Sequence, residues 1–194
     1  MKKLVLIPFS KQMNFLAFRQ LGIVSNLTLA HMRARKPFSL YMNPEEVLSS
    51  FSIELPNPPA VAGLYKPVVI VGDLAYLSGH LPIRYDGSPI LGEVGNGNTV
   101  EDGAAAARQA GLNMLATLKA ELGSLDRIVR VVKILGLVNS PSGFSQHPQV
   151  INGCSELFKE VFGDHAGVGA RSALGVSGLP AGVMVEIEGI FQVR

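Results

Sequence analysis

Two glutamates near the end of the chain are candidates for acid–base chemistry. Glu186 and Glu188 lie two residues apart in segment 183–193, where apolar and polar residues alternate. Successive side chains of a strand point to opposite faces, so we expect both carboxylates on one face and Val185 and Ile187 on the other. Such a face lies either in water, where the glutamates are ordinary solvated strand residues, or against another subunit. The pattern alone leaves both possibilities open.

One arginine is the second candidate. Arg171 directly precedes the small-residue run Ser172-Ala173-Leu174-Gly175. A guanidinium can hold a carboxylate through two parallel hydrogen bonds, and small neighbours let a ligand approach the backbone. The alternative is a surface arginine that pairs with Asp164 or Glu186.

Histidine and cysteine give little support for metal or thiol chemistry. The chain has four histidines and one cysteine, Cys154, which is predicted to lie in the core. Neither a C-x-x-C nor an H-x-x-x-H pair is present, so we expect no metal, no disulfide and a reducing compartment. His80 follows a predicted strand and is expected to be a structural polar residue rather than a general base.

Charge is distributed unevenly along the 194 residues. Residues 1–44 contain seven basic and no acidic residues, whereas residues 45–194 contain ten basic and fifteen acidic ones. The globular part therefore offers no basic patch for nucleic acid, and no nucleic-acid partner is expected. No apolar stretch reaches the roughly 20 residues that a membrane span needs, so no membrane association is expected either.

Residues 1–41 are set apart from the predicted domain at 42–194. The basic extension is an organelle-targeting peptide, a genuine appendage, or translated upstream sequence with Met42 as the true start. The expected location is the cytoplasm, or an organelle if the extension is a transit peptide.

The remaining pattern predicts an α+β fold of order β-β-α-β-α-β-β. Gly72-Asp73 is typical of a hairpin turn, and Thr99 and Gly123 are typical of the two ends of a helix. Punctuation by glycine and proline predicts a long loop at 81–98. The predicted strands are 68–71, 74–78, 128–138, 172–176 and 183–193, and the two helices, 99–122 and 148–163, cover one face of the sheet.

Four ordered segments are more specific than any single motif. They are P-A-V-A-G-L-Y at 59–65, L-S-G-H-L-P at 77–82, V-I-N-G at 150–153, and A-R-S-A at 170–173 followed by G-L-P and V-E-I-E-G-I up to residue 190. Their order and spacing resemble the reactive intermediate deaminase family, also called RidA or YjgF-type proteins, some of which carry the name endoribonuclease L-PSP. The resemblance covers roughly residues 55–194.

The resemblance implies a fold, an assembly and a reaction. The fold is chorismate-mutase-like, and the assembly is a homotrimer whose sheets form a central β-barrel with sites in the clefts between subunits. The reaction is hydrolysis of small 2-imino acids to 2-keto acids and ammonia, with no cofactor.

It also implies roles for individual residues. Arg171 would bind the substrate carboxylate, Glu186 rather than Glu188 would position the attacking water, and the backbone at Ala173 would hold the imine nitrogen. The residues expected to line the pocket, some of them from a neighbouring chain, are Tyr65, Ser78 and Asn152.

The sequence departs from the family pattern in three places. Ala173 stands where many members have cysteine, Gly169 stands where a proline often precedes the arginine, and the loop at 81–98 is longer than usual. We expect that loop to reshape the cleft. Two alternatives to a deaminase are a trimeric regulator that binds a metabolite without turnover and, against the charge distribution, an endoribonuclease.

Overall fold

A five-stranded mixed sheet organises the part of the chain that the computed structural model describes, residues 42–194. The strands of the sheet are β1 (Val68–Val71), β2 (Leu74–His80), β5 (Ile128–Asn139), β6 (Ala170–Val176) and β7 (Val185–Val193). Two short strands, β3 (Glu93–Val94) and β4 (Gly97–Asn98), form a separate pair. The sheet has the order β1-β2-β7-β5-β6, in which β5 and β6 are parallel and the other pairs antiparallel. The hypotheses about residues 1–41 lie outside the described residues.

Within residues 42–194, three α-helices accompany the sheet: α1 (Pro44–Ser50), α2 (Val100–Leu122) and α3 (His147–Ala166). The expectation of two helices was wrong because it missed α1. This short helix begins with a capping box between Asn43 and Glu46, and it buries Val47 and Leu48. Seven residues make barely two turns, so its apolar periodicity is too brief to recognise.

Both predicted ends of α2 are confirmed. The Thr99 hydroxyl accepts a hydrogen bond from the Asp102 N–H at 3.1 Å, and the Asp102 carboxylate accepts one from the Thr99 N–H at 2.8 Å. Gly123 ends the helix with φ 82°, a left-handed conformation that costs glycine little. The predicted hairpin between β1 and β2 is also present, with Val71 paired to Leu74.

The core lies between the sheet and the two long helices. Val185, Ile187 and Phe191 are fully buried on one side of β7, as the alternation predicted. Cys154 is buried in the same core, which confirms its expected place, and burial raises the pKa of its thiol far above the ordinary value.

Two segments differ from the prediction. Helix α3 does not end at Gly163: this residue adopts φ 80°, and the chain continues to Ala166, with the Gly167 N–H bonded to the Gly163 carbonyl at 2.8 Å. Glycine can adopt that conformation without strain, so the chain bends and resumes rather than stopping. The segment 81–98 contains the two short strands β3 and β4 rather than loop alone.

None of the helices within residues 42–194 is both long enough and apolar enough to cross a membrane.

Candidate functional site

Arg171 points from the edge strand β6 towards helix α3. It is in register with the buried Ile134 of β5, so its side chain leaves the sheet on the helix-covered face. Its Nη1 donates to Asn152 Oδ1 at 2.8 Å and to Ser155 Oγ at 3.0 Å. Two neutral acceptors therefore orient the guanidinium without neutralising its charge.

The alternative interpretation, in which Arg171 is a surface residue paired with Asp164 or Glu186, is not what the structure shows. Asp164 instead forms an ion pair with Lys159, whose Nζ lies 2.9 Å from its carboxylate. Among residues 42–194, the side-chain hydrogen bonds of Arg171 involve Nη1 alone. Its other N–H groups remain as donors for an anionic ligand.

Glu186 leaves β7 on the opposite face of the sheet. Its neighbours Val185 and Ile187 are buried under the helices, whereas Glu186 is half-buried and Glu188 exposed. The Glu186 carboxylate lies directly against the α-carbon of Gly79, in the space that a side chain at position 79 would need.

This environment changes the acidity of Glu186. Partial burial raises the pKa of its carboxyl above the ordinary value, and the nearby Glu188 carboxylate raises that pKa further. Burial disfavours the charged form, and a like charge does the same. Glu186 is thus a stronger base than a solvated glutamate.

Ser78 and Tyr65 form hydrogen bonds with the segment that precedes β1. The Ser78 hydroxyl donates to the Lys66 carbonyl at 2.8 Å, and the Ser78 N–H donates to the Pro67 carbonyl at 3.0 Å. The Tyr65 ring is 48% exposed, and its hydroxyl accepts a bond from the Ala62 N–H at 3.4 Å. Their roles as pocket residues stay predictions.

Ala173 shares the helix-covered side of β6 with Arg171. It is half-buried and packs against the core, in register with Gly136 of β5. Because β6 is the outermost strand of the sheet in residues 42–194, backbone groups along its far side have no strand partner. Only alternate residues of an edge strand direct their backbone groups to that side, and the backbone role of Ala173 stays a prediction.

The predicted residues therefore form two clusters rather than one. The first, called here the arginine cluster, consists of Arg171, Asn152 and Ser155 on the helix-covered face at the sheet edge. The second, the glutamate cluster, consists of Glu186 and Gly79 on the open face. A single chain does not bring the two clusters into one cleft.

Sequence reasoning missed Ser155 and Gly79. Ser155 lies three residues after Asn152 in a helix, so the two share a face, and this spacing was a usable signal. No sequence signal pointed to Gly79, because its contact with Glu186 depends on the pairing of β2 with β7.

Two cavities contain none of the predicted residues. One, of about 340 Å³, lies at the end of β6, where Ser140 Oγ and His147 Nε2 are 3.1 Å apart. The other, of about 590 Å³, lies between α1 and α2 beside the ion pair of Glu45 and Lys119. Within residues 42–194, no three His, Cys, Asp or Glu side chains group together as a metal site would require.

Comparison with known proteins identifies the fold and the family. Residues 45–185 match the family described as "YjgF/chorismate_mutase-like, putative endoribonuclease". Protein TCP17 of Trypanosoma cruzi is 39% identical over 147 residues, which cover 76% of this chain and 92% of TCP17. The crystal structure of the Agrobacterium tumefaciens protein Atu1372, of unknown function, is 36% identical and has a TM-score of 0.70, covering 78% of this chain and 94% of that one.

A further relative has a named activity. The 2-iminobutanoate/2-iminopropanoate deaminase of Dermatophagoides farinae is 28% identical over 149 residues, which cover 77% of this chain and 97% of the mite protein. The expected chorismate-mutase-like fold is confirmed, with three helices and a mixed sheet in the described part of the chain. With its family match across most of the domain, this chain belongs to the YjgF/RutC family, as the four ordered segments predicted.

Proposed function

We propose that this protein hydrolyses small 2-imino acids to 2-keto acids and ammonia, without a cofactor, at sites formed between the subunits of a homotrimer. The observation that carries the proposal is the state of Arg171, whose guanidinium is oriented by two neutral oxygen atoms and paired with no acid among the described residues. A cation prepared in this way suits a substrate carboxylate.

The chemistry needs little beyond orientation. Arg171 holds the carboxylate, and the unpaired edge of β6 at Ala173 faces the imine nitrogen. Glu186 accepts a proton from water as the water oxygen bonds to the imine carbon, and that proton passes to the imine nitrogen, which gives a carbinolamine. Glu186 then takes the proton of the new hydroxyl and that proton also passes to nitrogen, so the C=O bond forms as the C–N bond breaks. One imine and one water thus become one keto acid and one ammonia.

The raised pKa of Glu186 supports its assignment as the base. A general base works best when its pKa lies near the operating pH, and an ordinary solvated glutamate is too weak a base for that. Burial against Gly79 and repulsion from Glu188 both move the Glu186 pKa in the useful direction.

A second copy of the chain is needed to join the two clusters. The open face of the sheet carries exposed apolar side chains beside the glutamates, with Val69 45%, Tyr76 41% and Leu174 52% exposed. Sheet faces of this kind are usually covered by another layer. Packing that face against a neighbouring subunit would bring one chain's glutamate cluster towards the next chain's arginine cluster.

The test is turnover. An amino-acid oxidase generates 2-iminobutanoate or 2-iminopropanoate in the presence of semicarbazide, which traps imine that escapes hydrolysis. The full chain is expected to accelerate keto-acid formation, and Arg171→Ala and Glu186→Ala to abolish the acceleration. Arg108→Ala is the matched control, because Arg108 forms an exposed ion pair with Glu160 on the helices.

Two results would contradict the proposal. Light scattering that gives the mass of one 20.7 kDa chain, rather than three, would exclude sites shared between subunits. Tight binding of a 2-keto acid by an intact trimer that shows no acceleration would identify a metabolite-binding regulator instead.

A further inference from the structure

His80, the last residue of β2 and the neighbour of Gly79, forms a hydrogen bond at each of its two ring nitrogens. Its Nδ1 lies 2.7 Å from the Ser78 carbonyl oxygen, and its Nε2 lies 2.9 Å from Thr117 Oγ1 on helix α2. A carbonyl oxygen only accepts, so Nδ1 carries the proton. In the neutral ring, Nε2 then accepts a hydrogen bond from the Thr117 hydroxyl.

Burial favours that neutral form. His80 is 6% exposed, and its desolvation lowers the pKa of the imidazole, so the ring stays uncharged at neutral pH. Its two hydrogen bonds fix one tautomer and one ring orientation.

One face of helix α2 carries a row of polar side chains that contact the end of β2 and the residues after it. Gln109, Asn113 and Thr117 are spaced four residues apart and so lie on one face. The Asn113 amide donates to the carbonyls of Leu81 at 2.8 Å and Ile83 at 3.1 Å, and the Gln109 amide donates to Ile83 at 2.7 Å.

Such a row is unusual for a helix packed on a sheet. Asn113 is fully buried and Thr117 is 5% exposed, in positions where apolar side chains normally pack. A buried polar group stabilises a fold little unless its partners are fixed in place. These polar side chains therefore fix the backbone conformation of residues 80–83 and contribute little to apolar packing in the core.

The end of β2 contains a β-bulge. Leu77 pairs with Gly189 and His80 pairs with Ile187, so three steps along β2 match two along β7. Ala75 and Leu77 are buried under the helices, and strict alternation would place residue 79 there too. The extra residue instead turns Gly79 to the open face and puts His80 under α2.

We propose that His80 and Thr117 are positioning residues that hold this bulge and thereby fix Gly79 against the Glu186 carboxylate. They lie on the helix-covered face of the sheet, whereas Glu186 lies on the open face, so they act on Glu186 through the backbone at Gly79. Their effect on turnover rests on the proposed function, whereas their effect on Glu186 does not.

The test follows Glu186 directly. A ¹³C NMR titration of side-chain carboxyl groups, with Glu186→Gln to assign the signal, reports the Glu186 pKa in the full chain. Thr117→Val keeps the shape of Thr117 but removes the hydroxyl that His80 accepts from. We expect this variant to lower the Glu186 pKa towards that of an ordinary glutamate and to reduce kcat about tenfold, with KM unchanged.

Two further variants separate positioning from general damage. His80→Gln supplies an amide N–H for Ser78 and an amide oxygen for Thr117, and is expected to keep the raised Glu186 pKa, whereas His80→Leu is expected to lose it. Leu122→Val, a buried change at the far end of α2, controls for lost stability and should leave the Glu186 pKa in place.

The proposal is overturned if folded Thr117→Val and His80→Leu both titrate like the parent at Glu186. It is also overturned if Leu122→Val lowers the Glu186 pKa as much as they do. A chain that hydrolyses no imine would remove the proposed function and leave the titration to decide the positioning role.

Discussion

The carboxylate of Glu186 occupies the space that a Cβ on Gly79 would take. The carboxylate can occupy its observed position only because residue 79 is glycine. The colliding group is the far end of a flexible side chain, so a larger residue at position 79 would displace the carboxylate and leave the backbone in place.

Gly79→Ala is expected to separate function from folding. Stability should change by less than about 1 kcal/mol, because a half-exposed side chain can move aside, whereas loss of an aligned base lowers kcat by about 100-fold or more. Urea unfolding and imine turnover measure the two effects. Gly178→Ala is the matched control, since a Cβ there meets no atom within 4 Å. Full activity in Gly79→Ala would show that the place of Glu186 does not matter.

Asn152→Asp is expected to impair substrate binding by occupying Arg171. The new carboxylate would replace a neutral acceptor 2.8 Å from Nη1 with an anion, and this anion competes with the substrate carboxylate. KM should rise by roughly tenfold or more, since one hydrogen bond to a charged group is worth about 1.5–3 kcal/mol. Asn152→Ala, which removes the acceptor without adding charge, should raise KM less. Equal KM values for the two variants would argue against carboxylate capture by Arg171.

Sequence patterns were sufficient for elements with strong periodicity or clear ends. The alternation around Glu186 placed it on the face opposite Ile187, and Thr99 and Gly123 marked the ends of α2. Helix α1 was missed because seven residues carry too little pattern.

The candidate site was only partly predictable. Side-chain types and family-like segments predicted Arg171 and Glu186. The register between β2 and β7, however, cannot be predicted from the sequence of either strand alone. Strict alternation would have put Gly79 under the helices, and the bulge that moves it appears only in the pairing of β2 with β7. The neutral partners of Arg171 likewise depend on how α3 packs on β6.

The pH dependence of turnover should report Glu186 and respond to Glu188. The active form of the base is the carboxylate, so activity falls as pH drops through the Glu186 pKa, which lies above the ordinary 4.5. Glu188→Gln removes the like charge that raises this pKa, so the acid limb of the kcat profile should move to lower pH. Glu160→Gln, at an exposed helix position, serves as the control. An unmoved acid limb in Glu188→Gln would mean that another group controls it.

Gly153→Ala is expected to damage the fold itself. A Cβ at this position of α3 would overlap the Ala104 carbonyl oxygen of α2, and backbone at a helix crossing cannot move aside as a side chain can. We expect a loss of about 3 kcal/mol in urea unfolding, at the upper end of overpacking costs, and a Tm lower by roughly 10 °C. Gly111→Ala should cost less, because the tightest contacts of its Cβ are with the side chains of Leu157 and Cys154 and the nearest backbone atom is at an ordinary 3.6 Å. Equal losses in the two variants would show that α2 and α3 can slide apart, and the close approach of the helices would then not be what requires glycine at position 153.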